Sequence, residues 1–518
     1  MTQPPTSPPP LQGGQLILAT IAVALATFMT VLDSSIANVA IPNISGDLGV
    51  SVDEGTWVIT MFAAANAVSI PLTGWLTQRV GQIKLFVGAI LAFVFASWMC
   101  GIAPSLPILL GARILQGIVA GPLIPLSQAI LLGSYPKRKS ATALSLWAMT
   151  ATVGPIAGPL LGGWITDSYN WSWIFYINIP VGLFAAGVTW SIYRTRETPT
   201  QNLPIDVVGL GLLIMWVASL QVMLDKGKDL DWFNSATIVA LAIISAISFA
   251  FFLIWEWTEA NPIVDLKLFR QRNFLGGTVS ISVAYAVFFG NLVLLPQWMQ
   301  EYLSYRSVDA GLVTAPLGIF AVLLVPAMSR IMARFDARLI ATFAFFGFAA
   351  VFFLRSQYLT DIDTWHLVLP TLLQGIPMAL FFVPLTSIIL SGQPAHRIPA
   401  AAGLSNFARV FCGAVGTSLA SNEWNNRTVL HHARLTEQAS TNNPLFNSWI
   451  DSTQSLLQLN TQSARAFFES TVNNQAAMLG LDDVFYISAV IFIVITPLIW
   501  ITRPTKSGGS TDTAAAAH

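Results

Sequence analysis

The sequence predicts an all-α integral membrane protein, and three observations lead to that prediction. The chain has 518 residues, of which 54% are hydrophobic and only 10% are charged. A soluble domain carries roughly 25% charged residues, so this chain has too little charge to cover a surface that faces water. At about 20 residues for each membrane crossing, its apolar content is enough for roughly fourteen crossings.

The charge balance and the motif content exclude several other classes of protein. Lys plus Arg equals Asp plus Glu at 25 each, which leaves no electrostatic footprint for DNA or RNA. Cys100 and Cys412 lie in apolar stretches without metal-ligand or disulfide spacing. No phosphate-binding loop motif and no hydrolase motif occurs, so we expect no ATP coupling, metal or cofactor. The D-x-D pattern at 361–363 is better explained as a solvated loop.

A span-length window finds fourteen apolar segments along the chain. They begin near Leu16, Glu54, Ile83, Leu106, Ser140, Ile174, Asp206, Ser235, Phe274, Asp309, Leu339, His366, Pro399 and Asp482. With the N-terminus in the cytoplasm, the inner loops and C-terminal tail hold sixteen Lys and Arg and the outer loops hold seven, Arg355 among them. The positive-inside rule therefore predicts fourteen spans with both termini in the cytoplasm.

An internal repeat divides these spans into two halves. Residues 115–118 (Leu-Gln-Gly-Ile) recur at 373–376, and three more matches follow in order at an offset that drifts only from 258 to 262. The offset equals eight spans, so the halves are parallel repeats in a 6+2+6 arrangement. We expect a disordered tail over 1–15, six-helix bundles over 16–195 and 274–502, linker spans over 206–257, a cytoplasmic linker over 258–273 and a tail over 503–518.

A long hydrophilic segment, 421–481, interrupts the second bundle and is expected to face outward. It is rich in Asn, Gln, Ser and Thr, and it is far longer than a connector between two helices requires. It is either a docking element for an extracytoplasmic partner or a solvated, partly helical extension of span 13.

Ionisable residues inside the predicted spans are candidates for function, because each costs about 2.5–3.5 kcal/mol in hydrocarbon. Asp33 is the acid deepest in a span. It suits a site that binds and releases a proton, or else it is a permanently charged partner of a neighbouring helix. Arg113 either tunes this acid or bonds backbone carbonyls of a broken helix. Arg409 is a weaker candidate, because its side chain can extend towards the inner surface.

Further polar side chains in the spans suit a cavity for amphipathic organic molecules, or else each forms a hydrogen bond between helices. They are Asn38, Gln116, Gln128, Tyr285, Asn291, Gln297, Gln374 and Asn406, together with Arg409.

Span 5 carries a run of glycines and prolines that suits a helix able to pack closely and to pivot. The run comprises Gly154, Pro155, Gly158, Pro159, Gly162 and Gly163. Glycines at every fourth position share one helix face and allow a neighbouring backbone to approach. The prolines remove backbone donors and bend the helix, although a static kink is the alternative.

Four stretches resemble the fourteen-span drug:proton antiporters of the major facilitator superfamily. They are the run around Asp33, residues 113–117, the span 5 run and residues 171–180. Residues 121–128 and 261–266 look most like the EmrB branch of that family, which includes the fatty-acid exporter FarB.

The resemblance implies a Gram-negative inner-membrane pump that expels hydrophobic or amphipathic toxic compounds in exchange for protons, by alternating access. It implies an EmrA-like periplasmic adaptor and a TolC-like outer-membrane channel as partners, beside membrane lipids and no nucleic acid. By position, Asp33 and Arg113 are the proton-coupling residues and the span 5 run is the antiporter signature. A dedicated fatty-acid exporter is the alternative, and a proton-coupled nutrient importer or a lipid-modifying enzyme fits less well.

The loop between spans 2 and 3 departs from the superfamily pattern. Gly74, Arg79 and Gly81 are present, but Gln78 stands where the pattern usually has Asp, and the lysine is shifted to Lys84. A charge relay at the cytoplasmic gate is therefore in doubt, and a helix-dipole or hydrogen-bonded latch is the expected replacement.

Overall fold

The computed structural model describes residues 10–504, apart from 137–138, 202–203, 228–229, 261, 395–396, 438 and 440–442. Every regular element in that part of the chain is a helix. Among the described helices, eleven are long and apolar enough to cross a membrane, or twelve if one bent pair counts as a single span. The fourteen-span count and the orientation of the termini stay predictions.

The first half of the bundle consists of ten helices. They are α1 (Gly13–Leu48), α2 (Val52–Gly55), α3 (Trp57–Ser69), α4 (Thr73–Val80), α5 (Gln82–Gly101), α6 (Leu106–Ala120), α7 (Leu123–Ser134), α8 (Ser140–Ser168), α9 (Trp173–Tyr176) and α10 (Asn178–Tyr193). Helices α3 and α4 are a single apolar stretch bent by 62°, because Pro71 between them removes a backbone donor. Leu11 is buried and its N–H donates to the carbonyl of Ser134, so order begins before the predicted start of span 1.

Two linker helices and nine further helices complete the bundle. The linkers are α11 (Val207–Lys226) and α12 (Ala236–Thr258). The second half comprises α13 (Arg272–Tyr302), α14 (Ser307–Thr314), α15 (Leu317–Leu323), α16 (Val325–Arg334), α17 (Ala337–Arg355), α18 (Thr364–Leu390), α19 (Ile398–Thr436), α20 (Pro444–Leu457) and α21 (Thr461–Trp500). We call the end of the bundle where α1 begins the inner end and the opposite end the outer end.

The glycine face of α8 packs directly against α1. A Cβ atom at Gly154 would meet Val31, one at Gly158 would meet Ser35 and the backbone of Ile36, and one at Gly162 would meet Ile36. Without Cβ atoms the two backbones come close enough for the Ser35 hydroxyl to donate to the carbonyl of Gly154 at 3.3 Å. The side chains of Pro155 and Pro159 lie outside the described part of α8.

The two halves touch at both ends of the bundle. At the inner end, Gly74 at the start of α4 packs on Ala400 of α19 so closely that a Cβ would collide with its backbone. At the outer end, Gly311 of α14 lies against Leu160 of α8, and Gly163 faces Val308.

Linker helix α11 contacts both halves. The Lys226 ammonium donates to the Thr56 hydroxyl of the first half at 2.9 Å. The Trp216 ring lies 5.2 Å from Phe411 and 5.8 Å from Phe407, both on α19 of the second half. Helix α11 therefore connects the two halves, through Lys226 on one side and Trp216 on the other.

The segment 421–481 is helical over most of its length. Helix α19 continues without a break from its span to Thr436, and α21 begins at Thr461, well before the predicted start of span 14. The imidazole of His431 on α19 bonds the Asp483 carboxylate on α21 at 2.9 Å. We call α20 and the outer ends of α19 and α21 the outer extension.

Replacing Gly158 with alanine is expected to destabilise the protein, because its Cβ would meet the Ser35 side chain and the Ile36 backbone. Overpacking of this kind costs about 1–3 kcal/mol. Gly187→Ala on α10 is the matched control, since nothing lies within 4 Å of its Cβ position. Thermal unfolding of the purified protein in detergent measures the effect. Equal midpoints for Gly158→Ala and Gly187→Ala would contradict the close packing of α1 and α8.

Candidate functional site

A fully buried ion pair joins α1 to α6. The Nη1 of Arg113 lies 2.6 Å from the Oδ2 of Asp33, and both side chains have 0% exposure. A buried pair is stable only when both partners are present and their remaining hydrogen-bonding atoms are also satisfied. The sequence predicted both residues as functional candidates, and the structure makes them partners.

The other carboxylate oxygen of Asp33 accepts two amide hydrogen bonds. Gln116 donates to Oδ1 at 3.0 Å and Asn178 donates to it at 2.8 Å. The Gln116 amide also donates to the Ser97 hydroxyl at 2.8 Å. We call Asp33, Ser97, Arg113, Gln116 and Asn178 the Asp33 cluster. It draws on α1, α5, α6 and α10, so the charge on a single carboxylate influences four helices.

The guanidinium of Arg113 is held by more than its carboxylate partner. Its Nε donates to the carbonyl of Val58 at 3.0 Å and its Nη1 to the Oε1 of Gln116 at 2.6 Å. The Phe62 ring lies 4.2 Å from the guanidinium carbon, which supplies a cation–π contact. The Nη2 atom is buried and has no hydrogen-bond partner among the described residues. One donor therefore stays available for an alternative acceptor.

The Asp33 cluster lies towards the outer end of the first half. Arg113 is in the second turn of α6 and Asn178 is the first residue of α10, and both helices begin at the outer end. Asn178 was missed as a site residue at the sequence level, although it stands in the run 171–180 that carries the family resemblance. An asparagine at the start of a helix is commonly a capping residue, so the sequence did not indicate that Asn178 belongs to a buried site.

A second polar cluster lies where the two halves meet, closer to the inner end. Arg409 of α19 donates from Nη2 to the Oδ1 of Asn406 at 2.7 Å. The Asn406 amide donates to the Oε1 of Gln128 on α7 at 3.0 Å, which crosses from the second half to the first. Arg409 has 4% exposure, so it does not extend to the inner surface as the sequence allowed.

Three aromatic rings surround the Arg409 guanidinium. Its central carbon lies 4.5 Å from the centroid of Tyr285, 5.2 Å from Phe382 and 5.8 Å from Trp147. We call Gln128, Trp147, Tyr285, Phe382, Asn406 and Arg409 the Arg409 cluster. Four of these six residues were predicted as cavity residues, and Trp147 and Phe382 are additions from the structure. Aromatic walls around a cation form a setting suited to an amphipathic ligand.

The other predicted cavity residues do not join the Arg409 cluster. Gln116 belongs to the Asp33 cluster. Asn291 donates to the Ser488 hydroxyl at 2.8 Å, a bond between α13 and α21 inside the second half. Gln297 bonds Glu301 on the outer part of α13. Gln374 is buried in α18, and Asn38 is exposed. The structure thus pairs Gln116, Asn291 and Gln297 with side chains outside the Arg409 cluster.

The loop between α4 and α5 is held by backbone hydrogen bonds to Glu197, a residue that was missed at the sequence level. Glu197 accepts backbone N–H bonds from Ile83 at 3.0 Å and from Lys84 at 2.8 Å, at the N-terminus of α5. A carboxylate there also favours the helix dipole. Gly81 has a φ of +98° and its Cβ position is occupied by Glu197, so only glycine fits. Arg79 lies over the Trp75 ring at 5.3 Å.

The repeat explains a third buried arginine. At the offset of 258, Arg355 takes the position of Ser97, and Thr371 takes that of Arg113. Arg355 was predicted to lie in an outer loop, but it is 2% exposed at the end of α17 and donates to the Thr371 hydroxyl at 2.9 Å. The buried guanidinium that corresponds to Arg113 in the repeat therefore comes from α17, the counterpart of α5, and not from α18.

Comparisons with known proteins agree with this architecture. The Major Facilitator Superfamily model matches residues 23–417. "Multidrug export protein EmrB" of Escherichia coli (strain K12) is 47% identical over 501 residues, covering 96% of this chain and 98% of that protein. "Fatty acid resistance protein FarB" of Neisseria gonorrhoeae is 45% identical over 504 residues, covering 97% and 99%. The structure of the human organic anion transporter MFSD10 (TETRAN) matches with a TM-score of 0.58 at 13% identity, covering 94% of this chain and all of that one.

The fold and the two buried clusters define a multi-pass helical transporter. The chain belongs to the major facilitator superfamily, and it is a protein of the bacterial inner membrane.

Removing one member of the Asp33–Arg113 pair is expected to cost about 3–5 kcal/mol, because it leaves the other charge buried and unpaired. The double variant Asp33→Asn/Arg113→Gln removes both charges and keeps polar groups of similar size. It should unfold at a higher temperature than either Asp33→Asn or Arg113→Gln. The exposed pair of Arg306 and Asp309 serves as a control, and its loss should change little. A double variant as unstable as the two losses added together would show that the pair is not coupled.

Proposed function

We propose that the protein exports hydrophobic or amphipathic toxic compounds across the inner membrane in exchange for protons, by alternating access. The observation that carries this proposal is the Asp33 cluster. It places a single buried carboxylate on α1 where gain or loss of one proton changes contacts to α6 and α10. The names of relatives at 45–47% identity, multidrug export and fatty acid resistance, support export as the direction.

Protonation of Asp33 is the proposed coupling step. A neutral carboxyl group no longer compensates the Arg113 charge, so the guanidinium seeks other acceptors. Its bond to Val58 and its free Nη2 make a shift towards α3 available without breaking every contact. Because Gln116 and Asn178 share the Oδ1 atom, the same step loosens α10 and α6 from α1.

The two clusters occupy different depths, as the proposed exchange requires. The Asp33 cluster lies near the outer end, where the proton would enter. The Arg409 cluster lies nearer the inner end, where a substrate from the cytoplasm would be captured. The two halves contact each other at Gly74 and at Gly311 in this structure, and separating the halves at one of these contacts at a time would give alternating access.

The membrane potential supplies enough energy for useful export. Each proton that moves inward at 100 mV releases about 2.3 kcal/mol from the potential alone. Since 1.4 kcal/mol corresponds to a factor of ten, one proton for each substrate supports roughly a fifty-fold gradient.

The outer extension is the proposed docking surface for an EmrA-like periplasmic adaptor, which would lead to a TolC-like channel. Helices α20 and α21 pack against each other there, since Trp449 of α20 stacks on Phe467 of α21 at 6.2 Å between centroids. Leu445 and Leu456 of α20 remain 78% and 81% exposed. Exposed leucines on a helix beyond the membrane suit contact with another protein.

Asp33→Asn is expected to abolish proton flux driven by substrate. The assay uses protein in liposomes with a trapped pH-sensitive dye, an imposed proton gradient and candidate toxicants added one at a time. Asp309→Asn, an exposed acid at the start of α14, is the control and should retain flux. Flux at the wild-type level in Asp33→Asn would move the proton site elsewhere, and flux of the opposite sign in the wild type would indicate import.

Charged substitutions on α20 are expected to release the adaptor without affecting exchange. Leu445→Glu/Leu456→Glu should lose co-purification with the adaptor and keep substrate-driven proton flux in liposomes. Asp451→Asn alters an exposed side chain about a third of a turn away from that face and should retain the adaptor. Full adaptor binding by the double variant would exclude this surface.

A further inference from the structure

A buried carboxyl group lies at the inner end of the two linker helices. Glu256, in the last turn of α12, has 0% exposure. Its Oε2 accepts the backbone N–H of Val264 at 3.1 Å, and the N–H of Ile263 also faces this carboxyl group. Its Oε1 is buried and has no partner at hydrogen-bonding distance among the described residues. A charged carboxylate in such a position is costly unless another group compensates it.

A second carboxyl group faces the same point from α11. Asp206 caps the start of α11 by accepting the N–H of Gly209 at 2.8 Å, and the Trp255 indole donates to both of its oxygens at 3.0 Å. A Cβ atom at Gly209 would collide with the Oδ2 of Asp206 and with the Oε1 of Glu256. Two oxygens that meet at one such position lie within about 5 Å of each other, a range in which two negative charges strongly oppose each other.

The surrounding charges do not relieve this repulsion. The acids that act on Glu256 are Asp206 of α11 and Glu259, which follows α12. The segment 262–271, which we call the inner linker, contributes Asp265, Lys267 and Arg270. Asp265 pairs with Arg397 at 3.9 Å, and the side chains of Lys267 and Arg270 are exposed. Among the described residues, no ion pair includes either carboxyl group of the facing pair.

One proton held between the two carboxyl groups removes the repulsion. The remaining negative charge is favoured on Asp206, which receives N–H bonds from Gly209 and Trp255 and lies at a helix N-terminus. Glu256 is then the neutral member, as its burial requires. A divalent cation would need more ligands than these two, and the described part of the chain offers no group of three acids, histidines or cysteines that could hold one.

We propose that Asp206 and Glu256 share one proton and form a second proton-binding site, separate from Asp33, that fixes the inner linker to α11 and α12. The site lies at the inner end of the bundle, so in the predicted orientation it takes its proton from the cytoplasm. Loss of that proton leaves two facing carboxylates, which repel each other and weaken the seat of the inner linker.

The inner linker leads from this site to the contact between the halves. Val264 is bonded to Glu256, and the next residue, Asp265, pairs with Arg397 at the start of α19. Ala400, one turn further along α19, packs on Gly74 of the first half. The protonation state of the pair therefore acts on a segment that ends beside the inner contact.

The first test follows unfolding of the purified protein by dodecyl sulfate in mixed micelles, from about pH 6 to about pH 9, above the range in which exposed carboxyl groups titrate. If the folded state holds one more proton than the unfolded chain, stability falls as the pH rises. The unfolding constant of the wild type should then rise by up to about tenfold for each pH unit relative to that of Glu256→Gln.

Glu256→Gln imitates the protonated acid at every pH, because it keeps the shape and the acceptor for Val264 and carries no charge. It should therefore be more stable than the wild type at the alkaline end and similar to it at the acidic end. Glu437→Gln, an exposed acid just beyond α19, is the matched control and should follow the wild type. The same pH dependence in the wild type and in Glu256→Gln would overturn the proposal.

Asp206→Asn separates a shared proton from a lone buried glutamic acid. Asparagine still caps α11 and accepts from Trp255, but it removes the repelling charge. Sharing predicts that this variant loses most of the pH dependence, and that Asp206→Asn/Glu256→Gln loses no more than Glu256→Gln alone. Full wild-type dependence in Asp206→Asn would show that Glu256 binds its proton without a partner, which would also overturn the proposal.

Hydrogen exchange of the inner linker measures whether the shared proton fixes it. At the alkaline end its amides should exchange faster in the wild type than in Glu256→Gln at the same pH, and equally at the acidic end. Equal exchange at both ends would contradict a role in holding the linker. The outcome is independent of the export proposal, because no substrate or gradient is used and Asp33→Asn should keep the wild-type pH dependence.

Discussion

The ion pair between Asp33 and Arg113 is the constraint on which the first half depends. Two charges enclosed by helices are tolerable only together, so α1 and α6 must hold their register for the pair to exist. The amides of Gln116 and Asn178 extend that constraint to α5 and α10 through shared atoms. The close fit of the α8 glycines on α1 fixes the remaining side of the same helix. A single titratable group thus stands at the centre of the helix packing.

The two halves share a repeat but use their arginines differently. The first half neutralises Arg113 with an acid on α1, whereas the residue at the matching position of the second half is Asn291. Arg355 comes from a different helix, and Arg409 faces the other half with neutral partners only. This asymmetry gives the first half a buried ion pair and places an arginine walled by aromatic rings at the join.

Much of the fold could be predicted from the sequence, because hydropathy and repeat spacing act locally along the chain. Asp33 and Arg113 stood out since charges are rare in apolar spans, but their pairing depends on contact between helices eighty residues apart. Asn291 and Gln297 were assigned to a cavity because the sequence does not show which face of a helix meets which neighbour. Arg355 was placed in a loop because it ends a span, and only packing against Phe352 and Phe485 shows that it is buried. Glu197 gave no signal, as its partners are backbone atoms.

Helix α19 runs unbroken from Ile398 to Thr436, so Arg409 and the outer extension are parts of one rod. At 1.5 Å for each residue, the distance from Arg409 to the end of that rod is about 40 Å. A tilt of about 5° with Arg409 as the fulcrum displaces the far end by roughly 3.5 Å, by the same helix dimensions. A tilt of α19 at the level of Arg409 would therefore move its outer end directly, since no loop lies between the two.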